Sequence, residues 1–200
     1  MSVRIVVATR NVGKVREFAR LLADFPLVWL SLAEAGIEDD LPETGDTFAA
    51  NAAQKATLAA QLFGGWALAD DSGLCVSALD GRPGVYSARY GGPHATQPEK
   101  WAKLLGELAA LGPDVDRHAW FECVLALAHP DHDLVTVSGR VDGQIAFAPR
   151  GDGGFGYDPL FLVQDLGLTM AEIPADQKDS LSHRGRAIQA LRPHLLALTA

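Results

Sequence analysis

The sequence predicts an α/β fold, and three observations carry that reading. A β-branched run, Val3 to Ala8, leads through a Gly-bearing turn into a stretch of helical period. A second helical stretch, Thr47 to Phe63, leads into a short apolar strand, Trp66 to Ala69, that ends on two adjacent carboxylates, Asp70 and Asp71. Apolar runs at 119–128, 134–141 and 144–148 then read as an antiparallel meander. At 200 residues the chain forms one large domain or two small lobes, with a core that needs no staples.

The first strand and the turn Thr9-Arg10-Asn11-Val12-Gly13-Lys14 open a helix over about 12–24, with Val15, Phe18, Leu22 and Phe25 as its apolar stripe. Free N–H groups at such a helix start favour an anion, and Lys14 adds a full charge. A plain βα connection with a solvated lysine is the other reading. The turn is not a Walker A loop, because Ala8 and Val15 stand where that motif needs Gly and Ser or Thr. Residues 27–30 form a second strand, and 33–42 a polar connection. Glu43-Thr44-Gly45-Asp46 precedes the second helix, with Asp46 as its expected N-cap. Asn51 and Lys55 sit four apart on one helix face.

Along the next strand, alternation sends Asp70 and Asp71 to opposite faces. One of them then faces the crevice where open α/β sheets keep their ligands. The pair also reads as a polar turn that ends the strand, with Ser72-Gly73 turning the backbone away and a new strand at 74–79. A helix over 98–111 buries Trp101, Leu104, Leu105 and Leu108, and Gly112-Pro113 stops it. Asp142-Gly143 has the composition of a two-residue hairpin turn inside the meander. His129, His132 and Asp133 fit a polar turn better than a metal cluster.

Gly151 to Gly156 matches G-x-G-x-x-G, but that fingerprint must open a helix, and Tyr157-Asp158-Pro159 blocks one here. Glycines beside two aromatics suit a loop around a flat ligand, with Phe155 or Tyr157 stacking and Asp158 accepting hydrogen bonds. The last helix, running to about residue 198, begins at Ser182-His183-Arg184 after a segment holding Lys178. His183 and Arg184 repeat the anion-site logic, now with a guanidinium able to make bidentate contacts, or they are ordinary surface groups.

Composition narrows the function classes. A net charge of −8 argues against a broad nucleic-acid surface, which needs clustered Lys and Arg. No apolar run approaches the ~18 residues of a membrane span. With no leader visible and two cysteines expected to be buried free thiols, the sequence reads as cytoplasmic. Gathered in one cleft, Lys14, Lys55, Lys178 and Arg184 would neutralise a polyphosphate. Glu43 and Asp71 would hold Mg²⁺, and attack by an activated water would replace a covalent intermediate.

The set Thr9-x-Asn11-x-Gly13-Lys14-x-x-Glu17, Glu43-Thr44-Gly45-x-Thr47-Phe48, Asn51-Ala52 with Lys55-Ala56, and Ala69-Asp70-Asp71-Ser72-Gly73-Leu74 resembles the inosine triphosphate pyrophosphatase family. So do Pro83-Gly84 with Ser87-Ala88-Arg89-Tyr90, Gly154-Phe155-Gly156-Tyr157-Asp158-Pro159 and Ser182-His183-Arg184-Gly185. The match runs in order from Val3 to about Ala197.

The resemblance implies a single domain of two lobes around an elongated mixed β-sheet flanked by helices, with a nucleotide cleft between the lobes and a homodimer as the usual assembly. It implies Mg²⁺-dependent hydrolysis of ITP, dITP and XTP to the monophosphate and pyrophosphate. Thr9, Arg10, Asn11, Val12, Gly13, Lys14 and Lys55 would hold the phosphates. Glu43 and Asp71 would bind the metal, Asp71 also serving as general base, and Ser72 would contact substrate. Phe155, Gly156, Tyr157, Asp158, Lys178, His183 and Arg184 would frame base and sugar, with Arg89 as a further phosphate contact. One departure is Ala50, where the family commonly has glutamate. A Maf-like nucleotide pyrophosphatase and a non-hydrolysing nucleotide sensor are the alternatives.

Overall fold

A computed structural model describes residues 2–199. The elements follow in the order β1 (Arg4–Val7), α1 (Val12–Leu21), β2 (Val28–Ser31), α2 (Phe48–Phe63), β3 (Trp66–Val76) and α3 (Gln97–Ala110). Then come β4 (His118–His129), β5 (His132–Ile145), β6 (Phe161–Val163), β7 (Leu168–Thr169), α4 (Ala175–Leu181) and α5 (His183–Ala197). The strands form one seven-stranded mixed sheet in the order β2-β1-β3-β4-β5-β6-β7. β1 pairs in parallel with β2 and β3, whereas β6 is antiparallel to both β5 and β7.

The chain divides into two compact units, and it passes from one to the other within β3, β4 and β5. The first unit comprises residues 1–71, 123–139 and 183–200. Its core packs Phe18 of α1, Leu22 at the C-cap of that helix, and Ile188, Leu191 and Leu195 of α5 with Ile5, Leu68 and Leu125 of the strands. The second unit comprises residues 72–122 and 140–182, and its core gathers Leu104 and Leu108 of α3 with Leu74, Phe121, Tyr157 and Phe161. Both cysteines are buried free thiols. Among the described residues, no helix is long and apolar enough to cross a membrane.

Local chemistry sets the helix starts. Asn11 caps α1, its side chain accepting from the N–H groups of Gly13 at 2.9 Å and Lys14 at 3.3 Å. The cap of α2 is Thr47, which accepts from Ala50 N at 3.1 Å, so the expectation of Asp46 is off by one residue. A Thr96–Glu99 capping box opens α3.

Two expected turns are absent. Ser72-Gly73 does not break the chain, and β3 runs continuously through it; only 77–79 leave the strand, as a short 3₁₀ turn. Gly73 serves a close approach instead, because a Cβ there would strike Ser87 Oγ and the Gly84 carbonyl. Asp142-Gly143 likewise lies inside β5. A Cβ at Gly143 would meet the backbone carbonyl of Leu162 in β6, so glycine admits the neighbouring strand rather than turning the chain.

Candidate active site

In the first unit, β3 carries Asp70 and Asp71 side by side, and these carboxylates have separate sets of partners. Asp70 is fully buried; its Oδ1 lies 3.0 Å from Lys14 Nζ, and its Oδ2 accepts from Arg184 Nη2 at 2.9 Å. Arg184, itself 1% exposed at the start of α5, also donates through Nη1 to Glu17 of α1. Lys14 and Glu17 stand three apart, so one helix face delivers both charges. Burial works to raise the Asp70 pKa, but Lys14 and Arg184 overcome it and hold the carboxyl well below its ordinary value. Cys123 Sγ lies 3.9 Å from Asp70 Oδ2, and burial, seconded by Asp70, pushes that thiol up to about 12.

Asp71 meets α2. Its Oδ2 accepts from Asn51 Nδ2 at 2.9 Å, and its Oδ1 lies 4.0 Å from Lys55 Nζ. Lys55 donates to Glu43 Oε1 at 2.5 Å and to the Asp70 carbonyl at 2.7 Å, so one buried ammonium links the loop glutamate to the strand. Here burial prevails and raises the Asp71 pKa, with Glu43 adding to it against the pull of Lys55 and Asn51. Neighbouring carboxyls of one strand are thus driven in opposite directions.

Glu43 and Asp71 offer hard oxygen donors, one partly exposed and one buried. Among the described residues there is no group of three His, Cys, Asp or Glu placed to hold a metal. Two carboxylates are a donor set compatible with Mg²⁺, which takes one or two and keeps sites for water and phosphate oxygens.

The turn before α1 holds the remaining expected phosphate ligands. Thr9 Oγ1 accepts from Asn11 N at 3.2 Å, and Val12 is 62% exposed at the helix start. Arg10 turns to the polar connection, donating to the carbonyls of Glu38 at 2.7 Å and Asp39 at 3.2 Å. His183 is buried beside Arg184 in the first turn of α5. That turn lies so close to β5 that a Cβ on Gly139 would strike the His183 carbonyl and Ala187 N.

In the second unit, the glycine loop is built around a buried ion pair. Asp158 Oδ2 accepts from Lys178 Nζ at 2.8 Å and from Phe155 N at 2.7 Å. Gly154 has φ +70°, and a side chain there would run into Asp158. Trp101 Nε1 donates to the Gly156 carbonyl at 2.9 Å, and the Tyr157 hydroxyl donates to the Ser87 carbonyl at 3.1 Å. Tyr157 therefore lies in the core, while Phe155 stays half-buried with Lys178 Nζ 5.3 Å from its ring centroid. Ser72 is half-buried on β3, and Arg89 is exposed at the end of a 3₁₀ turn.

The structure thus brings Lys14, Asp70 and Arg184 into one network, Glu43, Lys55 and Asp71 into another, and Phe155, Asp158 and Lys178 into a third. The sequence reading set Arg184 against the base; in the structure its guanidinium meets Asp70 and Glu17. The sequence offers Glu17 only as a motif residue three positions beyond Lys14, with no role attached. Trp101 and Ser87, which anchor the glycine loop, were read only as an apolar helix position and a motif residue.

On this α/β sheet, β3 sets two adjacent carboxylates beside the ammonium groups of Lys14 and Lys55. The chain belongs to the Ham1 family, whose model matches residues 5–194. It is 52% identical over 192 residues to the dITP/XTP pyrophosphatase of Geobacter sulfurreducens, covering 96% of both chains. It is 46% identical over 193 residues to the enzyme of the same name from Listeria monocytogenes, covering 96% of this chain and 95% of the other. Among solved structures, a HAM1 protein from Coxiella burnetii superposes with a TM-score of 0.88 at 42% identity, covering 98% of each chain. The Ham1 protein of Staphylococcus aureus gives 0.87 at 40% identity, covering 98% of this chain and 99% of that one.

Proposed function

We propose that this protein hydrolyses the deaminated purine nucleoside triphosphates dITP, XTP and ITP to the monophosphate and pyrophosphate. The names of its near full-length relatives support the substrate class. The observation that carries the mechanism is the different company of the two carboxylates: Asp70 is paired with Lys14 and Arg184, whereas Asp71 accepts from Asn51 and lies 4.0 Å from Lys55. Asp70, neutralised by Lys14 and Arg184, is a poor proton acceptor and serves to orient its two cations. Asp71 accepts the proton of a water that attacks the α-phosphorus, and pyrophosphate leaves.

Lys55 stabilises the charge gathered on the phosphate oxygens, aided by Lys14 and the N–H groups of the turn from Thr9 through Arg10, Asn11, Val12 and Gly13. Glu43 and Asp71 would hold Mg²⁺, which supplies charge neutralisation at those oxygens. Phe155 stacks on the base, and Gly156, Asp158 and Lys178 hold the polar edge of base or sugar, with Tyr157 fixing the loop from the core. A site that donates to a 6-keto group leaves that donor unpaired against the 6-amino group of adenine, which favours the deaminated purines. Resemblance to a family of homodimers supports a homodimer.

Asp71→Asn tests the base. It keeps the shape and the contact to Asn51, so the melting temperature is expected to stay level or rise, while kcat for ITP falls by about 10²–10⁴. Turnover near wild type removes Asp71 from the mechanism.

A further inference from the structure

Phe155 belongs to no helix or strand of the second unit, so the hydrogen bonds around it decide where its ring stands. Its own turn is closed locally: Phe155 N donates to Asp158 Oδ2 at 2.7 Å, and Asp158 N donates to the Phe155 carbonyl at 3.3 Å. Two residues on, the chain is anchored, because Tyr157 is 3% exposed and its hydroxyl donates to the Ser87 carbonyl at 3.1 Å. Gly156 joins the half-buried Phe155 to that anchor. It has φ +65°, and a Cβ there would meet nothing within 4 Å, so the space beside it is open. A glycine in such a place is the most permissive hinge a chain can have.

The hinge is held from α3. Trp101 Nε1 donates to the Gly156 carbonyl at 2.9 Å, a tie between residues 55 positions apart. The indole is a firm support, since Trp101 packs against the core of the second unit. Leu104 and Leu108, on the same face of the helix, are wholly buried in that core. A donor rooted in the core thus fixes the peptide that follows Phe155.

We propose that Trp101 is a positioning residue for base recognition: its indole N–H, acting through the Gly156 carbonyl, holds the Phe155 ring where it stacks on the base. The inference rests on the proposed hydrolysis and on Phe155 as the stacking ring.

The test compares wild type with Trp101→Phe, which keeps an apolar ring on α3 and removes the donor, in steady-state hydrolysis of ITP with Mg²⁺. KM for ITP is expected to rise about threefold to tenfold, the range spanned by one net hydrogen bond, while kcat stays within about twofold. Pyrophosphate, which has no base, is expected to inhibit both proteins equally, a pattern that general destabilisation would not produce. An unchanged KM, a fall in kcat with KM level, or an equal weakening of pyrophosphate overturns the proposal. A wild type that leaves ITP intact refutes the hydrolysis itself, which separates that failure from this one. If Trp101→Phe does not fold, wild type decides by NMR: the Trp101 indole N–H resonance is expected to shift on saturation with IMP and not with pyrophosphate, and a resonance that ignores IMP overturns the proposal.

Discussion

Replacing Arg184 by Met removes a guanidinium that is 1% exposed and leaves Glu17 and Asp70, at 5% and 1%, facing the interior without it. Asp70 keeps Lys14 at 3.0 Å, but the Oδ2 atom that accepts from Arg184 at 2.9 Å loses that donor, and Glu17 loses its pairing with Nη1. Breaking a buried ion pair from one side costs about 3–5 kcal/mol, because the surviving charge stays desolvated. At this chain length each kcal/mol lowers Tm by about 2–4 °C, so the variant is expected to melt about 6–20 °C below wild type. Scanning calorimetry at neutral pH reads this directly. Arg184→Lys should fall between the two, since one ammonium cannot serve two carboxylates in the fork geometry of a guanidinium. A shift of Arg184→Met smaller than about 2 °C refutes the reasoning, as it would mean that the three charges are not jointly buried in the folded protein.

Asp158→Asn discharges the partner of Lys178 while keeping an acceptor for Phe155 N; KM for ITP is expected to rise more than kcat falls, and a pure kcat effect would move the loop from recognition to chemistry. Acid stability follows from Asp70. Its carboxyl is held below 3.8 in the fold, so its contribution is complete above that value and is lost as pH falls toward the folded one. Urea midpoints measured downward through that window should therefore fall more steeply for wild type than for Asp70→Asn, and parallel profiles would contradict the assignment.

The parts of this fold that depend on neighbours in sequence were legible in it. Helices α1 and α3 were readable because Phe18 and Leu22, or Leu104 and Leu108, repeat at the period of a helix face. The shared face of Asn51 and Lys55 followed from their spacing, and both reach Asp71. What could not be read locally is set by distant chain. Asp142-Gly143 has hairpin composition, and only the passage of Leu162 beside it explains a glycine in mid-strand. Ser72-Gly73 is the same case, with Ser87 as the approaching group. The Arg184–Glu17 pair spans 167 positions, so no periodicity announces it, and a guanidinium after a serine and a histidine resembles a surface group until α5 packs. The motif pattern reached further than the spacing did, because it draws together residues that the chain keeps apart.

The central claim is that water attacks at the α-phosphate of a deaminated purine triphosphate. Incubating the protein with Mg²⁺ and ITP, beside ATP and GTP, and resolving the products by ion-exchange chromatography tests it most directly. IMP and pyrophosphate from ITP, with ATP largely spared, is the expected result. IDP and orthophosphate would put the attack at the γ-phosphate and contradict the role given to Asp71; equal turnover of ATP would contradict the base recognition given to the Phe155 loop.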